Sequence, residues 1–266
     1  MLAPITFAEK KPTIVALAPH VVEMLYAIGA GDQIIGTTDH ADYPEAAKAI
    51  PRIGNYARIQ IEAVAALQPE LIIAWRSGSP SDDLARLKNL CFTVAYSQPE
   101  QLTDVAKELR YFGKLTGHQK RAEQLATQYE QQLTQLIARF SSRKSISVFY
   151  ELWPLPLTTV ANNAWPQQAL AVCNIENPFV NAANDYPQIN LEQVLVANPA
   201  IIIQPKSAGE KSKDAVNWSQ WQTLSAVQNK TLLSPNADQL HRMTPRVLPE
   251  IEKLCQDIDK IRLKLN

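Results

Sequence analysis

Residues 55–75 read NYARIQIEAVAALQPELIIAW and residues 185–205 read DYPQINLEQVLVANPAIIIQP, two stretches that overlay without a gap at an offset of 130 positions. Tyr56, Ile59, Glu62, Val64, Pro69, Ile72 and Ile73 meet Tyr186, Ile189, Glu192, Val194, Pro199, Ile202 and Ile203. Similarity at a fixed offset constrains architecture before any single motif reports chemistry, and two copies are too few for a solenoid. The chain is therefore expected to hold two lobes built alike. In each copy Gln60 or Asn190 precedes an apolar-periodic stretch (IEAVAAL, LEQVLVA), a proline ends it, and a strand-like run (ELIIAW, AIIIQP) follows. Asn190 is a sound N-cap because its side chain can accept from first-turn N–H groups; Gln60 is a poor one. Glu62 and Glu192 fall in the first turns, where a carboxylate complements the helix dipole whatever else it does.

Length and composition leave room for this plan. A chain of 266 residues, 46% hydrophobic and 20% charged, is ordinary for a globular protein and long enough for two cores. Its 26 basic and 26 acidic residues cancel, which argues against nucleic acid, an electrostatically held membrane surface or a large polyanion as partner. No apolar run approaches the roughly 18 residues of a spanning helix, so the mature chain is expected to be soluble. The start, MLAPITFAEKKP, lacks a basic region, yet Thr6-Phe7-Ala8 before Glu9 is similar to the small-residue end of a secretory signal. A disordered cytosolic start is the alternative. No cysteine stands near the start, which argues against a lipid anchor. Cys91, Cys173 and Cys255 show no metal-ligand spacing. Cys173 ends an apolar helical pattern (WPQQALAVCN) and Cys255 lies in LPEIEKLCQDIDKI, so these residues alone leave open a buried thiol pair or one disulfide.

Along the chain, residues 13–18 (TIVALA) suit a buried strand ending at Pro19, and residues 21–29 (VVEMLYAIG) have helical spacing that stops at Gly29. QIIGTT is a second strand and HADYPEAAKAIPRIGNY a polar, proline-marked loop. Strand, helix and strand in succession indicate a parallel sheet. Residues 99–117 form one amphipathic helix and residues 118–140 a second, with Leu125, Tyr129, Leu133, Leu136 and Ile137 on one face. A helix of that length acts as a strut. SISVFYELW restarts the strand pattern, WPQQALAVCN is a helix, and WSQWQTL, TLLSP and a helix from about Pro245 complete the chain.

The chain offers no G-x-S-x-G elbow and no phosphate-cradling glycine loop, and it has 8 glycines in all. His20, His40, His118 and His241 lie far apart; His20, His40 and Asp42 are weighed as metal ligands, but scattered histidines are more often plain polar residues. No nucleophile or acid/base pair is assembled in sequence, so a small-molecule α/β enzyme is the less favoured class. In open α/β sheets the ligand crevice lies outside the carboxyl ends of the strands. Tyr56, Trp75, Trp153 and Tyr186 fall near such points. Aromatic faces with few charges suit a large, flat, mostly neutral ligand.

From about Pro12 to the C-terminal helix, the chain resembles the substrate-binding proteins of bacterial ABC importers for cobalamin, haem and iron-siderophores, with cobalamin the favoured ligand. The pieces that carry the likeness are Asp42-Tyr43-Pro44, IEAVAALQPELIIAWR ending at Arg76, YPQINLEQVL from Tyr186 to Leu195, and Asp238 with Arg242, Pro245 and Arg246. The resemblance implies an α/β fold of two similar parallel-sheet lobes, residues 12–118 and 145–266, joined by one long rigid helix, residues 119–140, with the ligand cleft between the lobes. It implies a periplasmic monomer that is not an enzyme, has no metal or cofactor of its own, and delivers its ligand to permease subunits. Tyr56, Trp75, Trp153, Tyr186, Asp238, Arg242 and Arg246 are then the ligand residues, and Glu62 and Glu192 the carboxylates that dock onto permease arginines. Cys173 and Cys255 fall where the cobalamin carriers have a disulfide. Gln239 and Leu240 stand where more aromatic side chains are expected, and His40 where a Tyr is expected. Haem or a ferric siderophore is the alternative ligand: haem would need a Tyr or His on iron, and a siderophore would need converging arginines, for which Arg242 and Arg246 are the local pair.

Overall fold

The computed structural model describes residues 11–207 and 215–265, so the signal-like Thr6-Phe7-Ala8 lies outside the described residues. The chain divides into two compact units, residues 1–99 with 106–128 and residues 100–105 with 129–266. Among the described residues no helix is long and apolar enough to cross a membrane.

The first unit begins with β1 (Ile14–Ala16), α1 (Pro19–Ala27), β2 (Ile34–Thr37), α2 (Ile61–Leu67), β3 (Leu71–Trp75), α3 (Ser81–Asn89) and β4 (Val94–Ser97). Its four strands are all parallel, in the order β2-β1-β3-β4. A parallel sheet covered on both faces needs continuous apolar strands rather than alternating ones, and all of β1 and the first four residues of β3 are buried. The strand at residues 13–18 is shorter than its apolar run, because Pro19 opens α1 instead of merely ending β1. Proline suits the first helical position, where its missing N–H would have had no partner. Gly29 takes φ 87 just beyond α1, the left-handed conformation that closes a helix at least cost for glycine. Residues 45–49 of the expected loop form a short 3-10 turn.

Two helices follow, α4 (Asp104–Thr116) and α5 (Gln119–Phe140). The unit boundary falls inside the unbroken α5, after Gln128. Ala122, Ala126, Tyr129, Leu133, Leu136 and Phe140 are its buried stripe, whereas Ile137, expected on that face, is 45% exposed. Near Ile137 the buried positions are Leu133, Leu136 and Phe140, and Ile137 lies beyond the edge of that stripe.

The second unit holds β5 (Val148–Tyr150), β6 (Trp153–Pro154), β7 (Leu157–Thr158), α6 (Trp165–Val172), α7 (Leu191–Ala197), β8 (Ile201–Ile203), α8 (Ser225–Gln228), β9 (Leu232–Leu233), α9 (Ala237–Leu240) and α10 (Val247–Leu265). β5, β8 and β9 form a parallel sheet in that order, and β6 and β7 an antiparallel hairpin. The Cys173 and Cys255 sulfurs are bonded, with Cα atoms 4.9 Å apart, joining the end of α6 to α10. Of the two states the sequence leaves open, the disulfide is the one present.

The repeat explains itself in the cores. Ile59, Val64 and Ile72 belong to the buried cluster of the first unit, and Val194 and Ile202 to that of the second, with Ile189 packed against it. The aliphatic letters shared by the two copies are thus equivalent core positions. Both helices also stop alike, at Gln68 (φ 48) and Asn198 (φ 40) in the left-handed conformation, directly before the prolines. Their starts differ. Asn190 Oδ1 accepts from Gln193 N–H and Gln193 Oε1 from Asn190 N–H, both at 2.9 Å, a reciprocal capping box. Gln60 makes no side-chain cap. Replacing Asn190 by Ala should cost about 1 kcal/mol of stability, and Gln60→Ala much less, in denaturant melts followed by tryptophan fluorescence.

Candidate functional site

In the first unit the chain leaves β1 for β2 on one side and later places β3 on the other side of β1, so the order reverses between β1 and β3. The carboxyl end of such a reversal is where open α/β sheets form a crevice. Two loops leave the sheet there, and Ser79 links them: its Oγ accepts the Trp75 N–H at 3.2 Å and donates to the Leu17 carbonyl at 3.4 Å. Trp75 ends β3 half-buried. The His20 ring meets the Trp75 indole edge to face, centroids 5.5 Å apart and planes at 83°. His20 is no loop histidine. It is the second residue of α1, buried, with its Nε2 2.9 Å from the Ser97 hydroxyl. Burial pushes its pKa down to about 3, so the ring is neutral near pH 7. His40, also weighed as a metal ligand, is exposed at φ 64, and among the described residues no three His, Cys, Asp or Glu side chains group as a metal site.

Tyr56 is 80% exposed in the loop before α2. Asn55 holds that loop in a turn, its Oδ1 accepting from the Ala57 and Arg58 N–H groups. The second unit repeats the device, with Asn184 Oδ1 accepting from the Tyr186 N–H at 3.0 Å. Burial raises the Tyr186 pKa, opposed by a hydrogen bond with the Trp165 backbone at the start of α6. Trp165 in turn donates its Nε1–H to the Leu240 carbonyl at 3.0 Å, which ties α6 to α9.

α9 carries Asp238 in its first turn, and Arg242 follows the helix with its guanidinium 3.3 Å from the Asp238 carboxylate. Arg246 precedes α10, its N–H donating to Thr244 Oγ1 at 3.3 Å. The structure thus brings Asp238 and Arg242 together as a part-buried ion pair. Trp153 is placed differently from its sequence reading: β5 ends at Tyr150, and Trp153 opens the β6–β7 hairpin, 58% exposed. Just beyond β5 the Glu151 N–H still donates to the Ile203 carbonyl at 2.9 Å, and its carboxylate turns inward, accepting from Trp218 Nε1–H at 2.6 Å and from Val216 N–H at 3.1 Å. A buried contact missing from the sequence reading lies at the end of β5, where the Tyr150 hydroxyl and His241 Nε2 are 2.7 Å apart. Burial lowers His241 to about 4 and raises Tyr150, so both are neutral near pH 7. No local motif marks such a pair 91 residues apart.

Glu62 and Glu192 occupy equivalent first-turn positions of α2 and α7, both exposed.

Residues 14–234 match the family described as "Periplasmic binding protein". A vitamin B12-binding protein of Vibrio parahaemolyticus is 33% identical over 257 residues, 96% of this chain and 92% of the relative. One from Vibrio cholerae is 36% identical over 243 residues, 91% and 87% of the two chains. The crystal structure of the periplasmic vitamin B12 binding protein BtuF of Vibrio cholerae superposes at a TM-score of 0.85 with 34% identity, covering 95% of this chain and 98% of that one. A periplasmic haem-binding protein of Roseiflexus shares the fold at a TM-score of 0.82 but only 21% identity, covering 95% and 99%.

Proposed function

The chain belongs to the periplasmic binding protein family, and on that premise we propose that it captures cobalamin in the periplasm and delivers it to the permease of an ABC importer. It is a binding protein and not an enzyme. The observation that carries the ligand choice is the pair of identities: above 30% over more than nine-tenths of the chain to vitamin B12-binding proteins, against 21% to the haem-binding one. Tyr56 and Trp75 of the first unit, and Trp153, Tyr186, Asp238, Arg242 and Arg246 of the second, are the ligand residues in this reading. Glu62 and Glu192 are its docking carboxylates. The lobes are residues 12–118 and 145–266, with residues 119–140 as the strut. Tyr56 and Tyr186, exposed in loops braced by asparagine side chains, and the half-buried Trp75 at the end of β3 support it, because rigid aromatic surface binds with little ordering cost.

The test is the visible absorption of the protein mixed separately with cobalamin, haem and a ferric siderophore and then desalted. Cobalamin alone should remain with the protein. Trp75→Ala should then weaken cobalamin by tens of fold in calorimetry, since truncating an aromatic anchor commonly costs about 2 kcal/mol or more. Retention of haem in place of cobalamin would overturn the ligand, and unchanged affinity in both Trp75→Ala and Tyr186→Ala would overturn the site.

A further inference from the structure

Trp75 stands half-buried at the carboxyl end of the central strand β3, and its indole is packed against two neighbours. A Cβ built on Gly78 would lie 1.9 Å from Trp75 Cε3, 2.3 Å from Cζ3 and 2.4 Å from Cδ2, so the six-membered ring of the indole rests directly on the glycine backbone. Any side chain at residue 78 would displace the indole, because atoms cannot approach so closely. The His20 imidazole abuts the same indole edge to face. His20 is itself held at 2.9 Å by the hydroxyl of Ser97, the residue that pairs with Trp75 across β3 and β4.

We infer that Gly78 and His20 are positioning residues, which seat the Trp75 indole in its ligand-binding pose before any ligand arrives. The inference rests on the ligand site proposed above and deepens it: part of the affinity comes from residues that need not touch the ligand. Packing alone does not account for the arrangement. A side chain serving the core would be covered, whereas this one is braced from two elements and left partly open at the crevice end of the sheet. Fixing the pose beforehand removes the ordering cost that a mobile indole would bring to binding.

A double-mutant cycle tests it. Gly78→Ala should weaken cobalamin binding by about tenfold in the otherwise native protein and by no more than about twofold when Trp75 is already Ala. His20→Ala should behave likewise; as His20 is buried, Ser97→Ala serves as a second variant that removes only the bracing hydroxyl, with a smaller loss of the same dependence. Thermal melts of each variant separate seating from folding. The ligand-free readout is near-ultraviolet circular dichroism: the signal lost in Trp75→Phe should be altered in Gly78→Ala, with the melting temperature kept. Failure of the native protein to retain cobalamin would withdraw the proposed ligand, and the dichroism would still judge the seat. Equal losses in both Trp75 backgrounds, or a Gly78→Ala spectrum identical to the native one, would overturn the inference.

Discussion

Replacing Cys173 and Cys255 together by Ala should lower stability by about 2 to 5 kcal/mol, one of the two largest effects expected here. The bond closes a loop spanning 82 positions, from the end of α6 to α10. In the chain-entropy account such a closure restricts the unfolded chain by about 4.5 kcal/mol, an upper figure because unfolded chains retain structure. Both residues are fully buried, and the loop encloses α7, β8 and β9, most of what builds the second core. One tether survives the substitution: the Arg262 guanidinium of α10 donates to the Asn174 carbonyl at 2.9 Å. The variant should therefore fold, with less margin. Four of the five tryptophans, Trp153, Trp165, Trp218 and Trp221, belong to the second unit, so fluorescence melts report chiefly on it. Native protein should melt lower with reductant, and the Ala pair should be indifferent to reductant. Coincident melts of oxidised, reduced and Ala-substituted protein would show that the bond contributes nothing. A buried bond of this kind also suits the oxidising compartment proposed for the chain.

The repeat was legible because the features that specify it are local: a 3.6-residue apolar period, a proline stop and a β-branched run. Those features recur as Val64 and Val194 in helices and Ile72 and Ile202 in strands, and the structure puts each in its unit's buried cluster. Asn190 was legible as a cap because capping involves residues three apart. What escaped depends on contacts distant in sequence. His20 read as one of four scattered histidines because Ser97, whose hydroxyl partners its buried ring, lies 77 positions away. Ile137 read as core because periodicity marks a stripe but not its width, which the neighbouring elements decide. Trp153 read as a strand end because the apolar run continues past Tyr150, and only the pairing of β5 with the distant β8 decides where the strand stops. Gln68 in the left-handed conformation ran against residue preference. The equivalent Asn198 takes the same left-handed conformation, so the position in the helix stop outweighs residue preference in both units.

Replacing both Glu62 and Glu192 by Gln should leave folding and cobalamin binding near native and weaken the complex with the importer by about 2 to 5 kcal/mol. The competing account is that each carboxylate only complements its helix dipole, for which the same change would cost roughly 0.3 to 1 kcal/mol of stability per helix and spare transport. The two helix starts speak against that account. α7 has a complete capping box and α2 has no side-chain cap, so the two N-termini need different amounts of help. Both nevertheless carry Glu at the same position, exposed to solvent. A two-fold permease presenting one basic site per half would require this equivalence, and a desolvated pair stripped of one charge leaves the other buried and unpaired. Glu62→Arg with Glu192→Arg should be worse than the Gln pair, since like charges would then meet. Pull-down and uptake with the cognate importer, beside melts and ligand titrations, separate the accounts. Loss of importer binding with native melts supports docking, whereas normal importer binding by the Arg pair would reduce both glutamates to helix-dipole partners.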